Sequence, residues 1–236
     1  VYAMMELHIE QAAVLESEGR QVGIVENIAG MTVLRIRIEG QANHAGATPM
    51  YLRRDPMVAA ASLILELEHE VKANGKPSTV ATVGKLFSEP NISNVIPQAV
   101  ELYLDIRDVE EEGIQQVVQF VQRKVEEIES RTGATGAPLY KATIETIAAS
   151  SPIHLSEQVI TVLEQKAVET GLSYRKMNSG AVHDAAILAS KTQVGMIFIP
   201  SKEGRSHCPA EFSKAEDLLA GCQLLLDSVV EIANRI

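Results

Sequence analysis

Little in this sequence points to nucleic acid, to a membrane or to an oxidising compartment. Lysine and arginine number 21 against 31 aspartates and glutamates, a net charge of −10, and no basic stripe interleaved with aromatics occurs, so nucleic acid is excluded as an expected partner. Only two cysteines occur, Cys208 and Cys222, which suits a reducing compartment. No apolar run approaches the roughly eighteen residues needed to span a bilayer, and the charged start and cleavage site of a secretory signal are missing. A cytoplasmic protein without membrane association is therefore expected. The stretch GATG at 133–136 lacks the lysine and helix of a phosphate loop, and neither a GxSxG elbow nor a CxxC pair is present; nucleotide binding and serine hydrolysis are disfavoured. Internal repeats and low-complexity segments are absent. There is no initiator methionine either, and "VYAMMELHIEQ" begins as though a strand were under way, so the chain is expected to be a fragment of a longer protein.

What is present is a chain of 236 residues, 46% apolar, enough for one large or two ordinary domains with a real core. After a short helix-like stretch at 11–17, "MTVLRIRI" (31–38) alternates with the period of a half-buried strand. Asp55 and Pro56 signal a helix start, and Met57, Ala60, Ala61, Ile64, Leu67 and Val71 recur at helical spacing until "ANGKP". "STVATVGKLF" and "AVELYLDIRD" read as strands, Ile114 to Ile128 as a second amphipathic helix, and "LYKATIETI" as a fourth strand. The order strand, helix, strand, strand, helix, strand is a split βαβ pattern. From Ser156 the rhythm is helix, strand, helix, strand and a long terminal helix, which predicts a parallel α/β sheet. Residues 1–24 and 146–236 are expected to form this α/β domain, with residues 25–145 inserted as an α+β domain.

Several polar residues could carry chemistry. The stretch "EGQANHAGATPM" sets His44 among Gly40, Ala42, Ala45, Gly46 and Ala47, small residues that allow a backbone or ligand close to the imidazole. His8, in "ELHIEQ", stands at a strand end with Glu10 and Gln11 beyond; such a histidine is more often structural than a ligand. His207 follows the strongest strand of the α/β unit, where open α/β sheets place their ligands, though a surface loop histidine would look the same. His183 admits a supporting role behind a ligand, or none. Alternation turns Arg107 to the face opposite Val100, Leu102, Leu104 and Ile106, where its guanidinium could hold a carboxylate or an ordinary ion-pair partner. Asn94 reads as a turn former, His69 and His154 as surface residues.

Together, "ELHIEQ", "GQANHAGATPM", "NVIP", "LDIRD", "SGAVHDA" and "GMIFIPSKEGRSHCPAEF" resemble, in this order, the metal-dependent amidohydrolases that include N-carbamoyl-L-amino acid hydrolases, allantoate amidohydrolases and β-ureidopropionases, relatives of the aminoacylase and dipeptidase-like metallopeptidases. The resemblance covers essentially the whole chain. It implies a catalytic α/β domain, here without its N-terminal half, carrying an inserted lid and dimerisation domain with a four-stranded antiparallel sheet and two helices. It implies hydrolysis of the C–N bond of a carbamoyl or ureido substrate bearing a carboxylate, a homodimer formed through the lid, and two divalent ions (zinc, manganese, cobalt or nickel). By the same resemblance, His8 and His207 match ligands to the two ions, and His44 matches a lid histidine that reaches across the dimer to the scissile carbonyl. Asn94 and Arg107 match residues that hold the substrate's carboxylate, Gln11 a polar residue near the substrate, and the Gly180 loop a wall of the pocket.

The departures are specific. The family's other ligands, a histidine, a bridging aspartate and a glutamate, and the glutamate that acts as general base, belong to an N-terminal half that this sequence does not include. Ala12 and Val182 stand where relatives usually show glycine. The expectation is thus that this chain alone is inactive, and the alternative reading is a non-catalytic dimerising fragment.

Overall fold

The computed structural model describes residues 1–133 and 136–235; Ala134 and Thr135 of the GATG stretch lie outside the described residues. The chain divides into two units, one formed by Val1–Ala29 with Pro152–Ile236 and the other by Gly30–Ser151. In chain order the first unit supplies β1 (Ala3–Ile9), α1 (Val14–Glu18) and β2 (Val22–Ile28). The second holds β3 (Gly30–Glu39), β4 (Asn43–His44), α2 (Pro56–Asn74), β5 (Val80–Glu89), β6 (Val95–Ile96), β7 (Ala99–Asp108), α3 (Glu111–Ser130) and β8 (Lys141–Ser150). The first unit resumes with β9 (Ile153–His154), α4 (Glu157–Glu169), β10 (Tyr174–Ser179), α5 (Asp184–Leu188), β11 (Gln193–Ile199) and α6 (Ala215–Asn234).

The discontinuous unit is α/β. Its sheet runs β1-β11-β2-β10, with β9 beside β2. β1 pairs with β11 and β10 with β2 in parallel, but β11 and β2 are antiparallel. The sheet is therefore mixed, not parallel as the alternation of helices and strands predicts. The reason is β2: Val22, Ile24, Val25 and Ile28 are all buried, and a strand covered on both faces shows no period-two signal to announce it. Because β2 pairs within this sheet, its residues fall in the first unit, and the division comes at Ala29 rather than at 24. Helix α4 packs Val159 and Leu163, and α6 packs Leu224, into one core with Met196 and Phe198 of β11. Gly221 lets α6 approach closely, since a Cβ there would lie 2.6 Å from Cγ2 of Ile199.

The continuous unit is α+β, two layers deep. Its antiparallel sheet has the order β5-β7-β3-β8. Alternation puts Leu34, Ile36, Ile38, Leu102, Leu104 and Ile106 on one face, essentially inaccessible, beneath Leu63 and Leu67 of α2 and Val117, Val121 and Val125 of α3. The opposite face of β7 carries Glu101, Tyr103, Asp105 and Arg107, each half-buried. Helix α2 starts where Asp55 and Pro56 predict: the Asp55 carboxylate accepts the Met57 N–H at 3.0 Å, and Pro56 occupies the first helical turn. Among the described residues no helix is long and apolar enough to cross a membrane.

Candidate functional site

In the α/β unit, the parallel strands β1 and β11 end side by side, and the loops beyond them hold Gln11 and His207. His8 lies opposite Phe198 near the end of β1. Its Nδ1 donates to the Ile9 carbonyl at 2.8 Å, which leaves the lone pair on Nε2. Glu6, two residues earlier and so on the same face of the strand, joins His8 and His183 in a cluster whose ligand atoms lie within 4.8 Å of one another. The two imidazoles meet edge to face, with centroids 4.7 Å apart.

His183 is buried, with Nε2 2.6 Å from Oγ of Ser179 and Nδ1 3.8 Å from Oε1 of Glu6. Burial first, and the adjacent His8 second, push its pKa down to about 4, so the ring is neutral at physiological pH. The other Glu6 oxygen accepts the Ala185 N–H at 2.8 Å. Oε1 of Glu6 and Nδ1 of His183 thus face each other too far apart for a hydrogen bond. Two imidazoles and a carboxylate across such a gap fit a divalent ion that takes nitrogen and oxygen ligands. Glu6 is a candidate ligand that sequence reading missed, although its i, i+2 spacing to His8 on a strand was a usable signal.

His207 lies outside this cluster, on the loop after β11. It sits at φ 57°, and Gln11, on the loop after β1, at φ 59°. Non-glycine residues are uncommon in this left-handed region, cost of order 1 kcal/mol or more there, and tend to mark sites where a side chain is aimed. The two side chains meet, Nε2 of Gln11 lying 3.4 Å from Nε2 of His207 and 3.2 Å from Oγ of Ser206. Gly204, at φ 64°, makes the approach of the loops feasible, because a Cβ there would lie 2.7 Å from the Ala13 nitrogen. Glu10 is committed elsewhere: its two oxygens accept the N–H groups of Val14 and Leu15 at the start of α1, each at 2.9 Å. Gly180 is exposed between β10 and α5, with nothing within 4 Å of an added Cβ. Ala12 and Val182 are exposed as well.

The α+β unit carries the remaining candidates. His44 is paired through β4 with Val95 of β6, and the Ala45 N–H donates to the Asn94 carbonyl at 2.9 Å. The His44 ring is exposed, but its Nδ1 accepts the N–H groups of Gly46 (3.0 Å) and Ala47 (3.1 Å). The small residues that seemed to clear space for a ligand therefore turn the backbone onto the imidazole itself. Arg107 grips Asp105 with two parallel hydrogen bonds, Nε to Oδ1 at 2.7 Å and Nη2 to Oδ2 at 2.9 Å, and this partner raises its pKa above the ordinary guanidinium value. His44 and Asn94 lie beyond the Ala99 end of β7, whereas Arg107 is near the other end, eight residues along. At about 3.3 Å per residue the two ends of the strand are roughly 26 Å apart.

An α/β unit with two histidines and a carboxylate clustered at a strand end, interrupted by a two-layer α+β unit, has the build of the aminoacylase and dipeptidase-like metallopeptidases. The chain belongs to peptidase family M20/M25/M40, whose sequence pattern matches residues 1–231. It is 42% identical over 234 residues to an N-carbamoyl-L-amino acid amidohydrolase of Geobacillus stearothermophilus, covering 99% of this chain and 55% of that protein. It is 35% identical over 234 residues to an allantoate amidohydrolase of Bacillus subtilis, with the same two coverages. A crystal structure of an amidase of the hydantoinase/carbamoylase family from Burkholderia multivorans superposes with a TM-score of 0.86 at 30% identity, over 97% of this chain and 54% of that one. The chain thus spans about half the length of the curated relatives it matches.

Proposed function

We propose that this protein hydrolyses the C–N bond of N-carbamoyl or ureido compounds that carry a carboxylate, with the α/β unit as catalytic domain and the α+β unit as lid and dimerisation domain. The names of the relatives support the bond type, and the cluster of Glu6, His8 and His183 supports metal dependence. His8, with Glu6 and His183 about it, and His207 on the neighbouring loop are the residues that would hold divalent ions; zinc, manganese, cobalt and nickel all suit imidazole and carboxylate ligands. Bound there, such ions would supply Lewis acidity to the scissile carbonyl.

The chain's own residues divide the remaining work. Gln11, beside His207, and the Gly180 loop face the substrate. Arg107 binds its carboxylate; Asp105 holds the guanidinium in a planar, charged fork until then. His44 donates a hydrogen bond to the carbonyl oxygen as that oxygen gains negative charge, and Asn94 stands beside it. The observation that carries a shared site is the length of β7. A small substrate cannot reach both Arg107 and the His44 loop of one unit across roughly 26 Å, so the two are recruited from different subunits. The run Met50, Tyr51 and Leu52, 76%, 78% and 59% exposed next to that loop, is apolar surface suited to burial against a partner.

Ammonia release from N-carbamoyl amino acids, allantoate and ureidoglycolate by purified protein that carries this chain at the full length of its relatives, before and after chelation, tests the proposal; the chain by itself is expected to be inactive. Turnover of at least one, abolished by chelation and restored by a divalent ion, is expected. No turnover of any by protein with bound metal would overturn it in favour of a dimerising module without catalysis.

A further inference from the structure

Arg53 has no carboxylate partner among the described residues; its guanidinium is given to backbone. Nη2 donates to the Ala45 carbonyl at 2.5 Å and Nε to the Thr48 carbonyl at 3.1 Å, so one planar side chain spans the turn that follows His44. The turn is closed from within as well, since both the N–H (3.1 Å) and the hydroxyl (2.7 Å) of Thr48 donate to the His44 carbonyl. Its base is tied by the Gln41 N–H on the Arg54 carbonyl at 2.9 Å. There Gly40 admits the Arg54 oxygen where a Cβ would come within 2.1 Å of it. The result is a rigid cradle in which two N–H groups, of Gly46 and Ala47, converge on Nδ1 of His44.

A nitrogen that accepts two hydrogen bonds carries no proton, and a neutral imidazole then holds its proton on the other nitrogen. We propose that Arg53 is a positioning residue for His44: by holding the Ala45 and Thr48 carbonyls it keeps the Gly46 and Ala47 N–H groups on Nδ1, so that the neutral ring presents Nε2–H outward. His44 is thereby a hydrogen-bond donor and not a base, and it selects a ligand that offers an oxygen acceptor, the carbonyl of a ureido group above all. The choice of ligand rests on the hydrolytic reading above; the tautomer and the role of Arg53 do not.

The test is nitrogen NMR of protein labelled with ¹⁵N-histidine, at about pH 8 where an ordinary histidine is neutral, with the His44 signals among the six histidines assigned by their loss in His44→Gln. The expected result is an unprotonated Nδ1 and a protonated Nε2 in the unaltered protein. In Arg53→Lys, which keeps the charge but cannot span two carbonyls, the two signals should move toward the averaged values of a ring that exchanges tautomers. The same variant should lower kcat about tenfold or more with KM nearly unchanged, as for a misplaced group that acts in the transition state. Arg53→Ala should do the same, and Arg53→Lys is decisive where Arg53→Ala does not fold. A proton found on Nδ1, or a folded Arg53 variant with unchanged His44 signals, would overturn the inference whatever the kinetics. The expected signals in protein that carries this chain at the full length of its relatives, yet shows no amidase activity with metal bound, would instead uphold Arg53 and overturn the hydrolytic reading.

Discussion

Buried beside His8, His183 cannot take up a proton without loss of stability, and that fixes a pH window. Its folded pKa is about 4 and its ordinary value 6.5, so between the two the unfolded chain binds a proton that the folded chain refuses. In metal-free protein the contribution is therefore complete above about pH 6.5 and is lost as pH falls toward about 4, on the order of 3 kcal/mol in all. Urea titrations at pH 7 and pH 5 on chelated protein should show this drop, and His183→Gln should shrink it; an equal drop in the variant would assign it to other groups. Arg107 and His44 should fail differently. Arg107→Ala removes a charged fork available to the ground state and the transition state alike and should raise KM roughly tenfold or more. His44→Ala should lower kcat about a hundredfold with a smaller change in KM. Steady-state kinetics on one carbamoyl substrate, with protein that carries this chain at the full length of its relatives, separates the two, and identical profiles would remove the distinction. Strand position and loop placement leave Arg107, His8 and His207 open to a structural as well as a chemical role, and only the resemblance to the amidohydrolases assigns them to a site. Arg53 is not assigned at all, because a side chain that serves backbone carbonyls leaves no pattern in the sequence.

The elements were legible wherever one face is wet. β3 and β7 alternate cleanly and α3 repeats its apolar stripe, so their boundaries fell within a residue or a turn of the observed ones. β2 is not legible, since "VGIVENI" buries Val22, Gly23, Ile24 and Val25 in succession and half-exposes the adjacent Glu26 and Asn27, so no alternation sets a period, and with it goes the mixed character of the sheet. Helix α2 supplies a direct check on element-level reasoning. Its start depends on the Asp55 cap, two residues after the arginine that braces the His44 loop. Asp55→Ala should cost about 1 kcal/mol by denaturant unfolding, with Asp55→Ser recovering most of it; no loss in Asp55→Ala would mean that packing of α2 alone sets its start.

At the scale of the molecule, the α+β unit has two sheet edges, β5 and β8, and unpaired edges invite pairing with another chain. Light scattering at micromolar concentration should give twice the chain mass, and a strictly monomeric mass would remove the partner on which the shared site depends. That site is the central claim, and subunit mixing tests it most directly. Neither His44→Ala, which lacks the donor, nor His8→Ala, which lacks a candidate metal ligand, should turn over substrate appreciably by itself. Made in protein that carries this chain at the full length of its relatives, mixed and allowed to exchange subunits, they form hybrids in which one of the two sites combines an intact His8 with the partner's intact His44. The account predicts that activity returns to about a quarter of the wild-type level at random reassortment. No recovery despite verified exchange would contradict it and confine His44 to its own subunit.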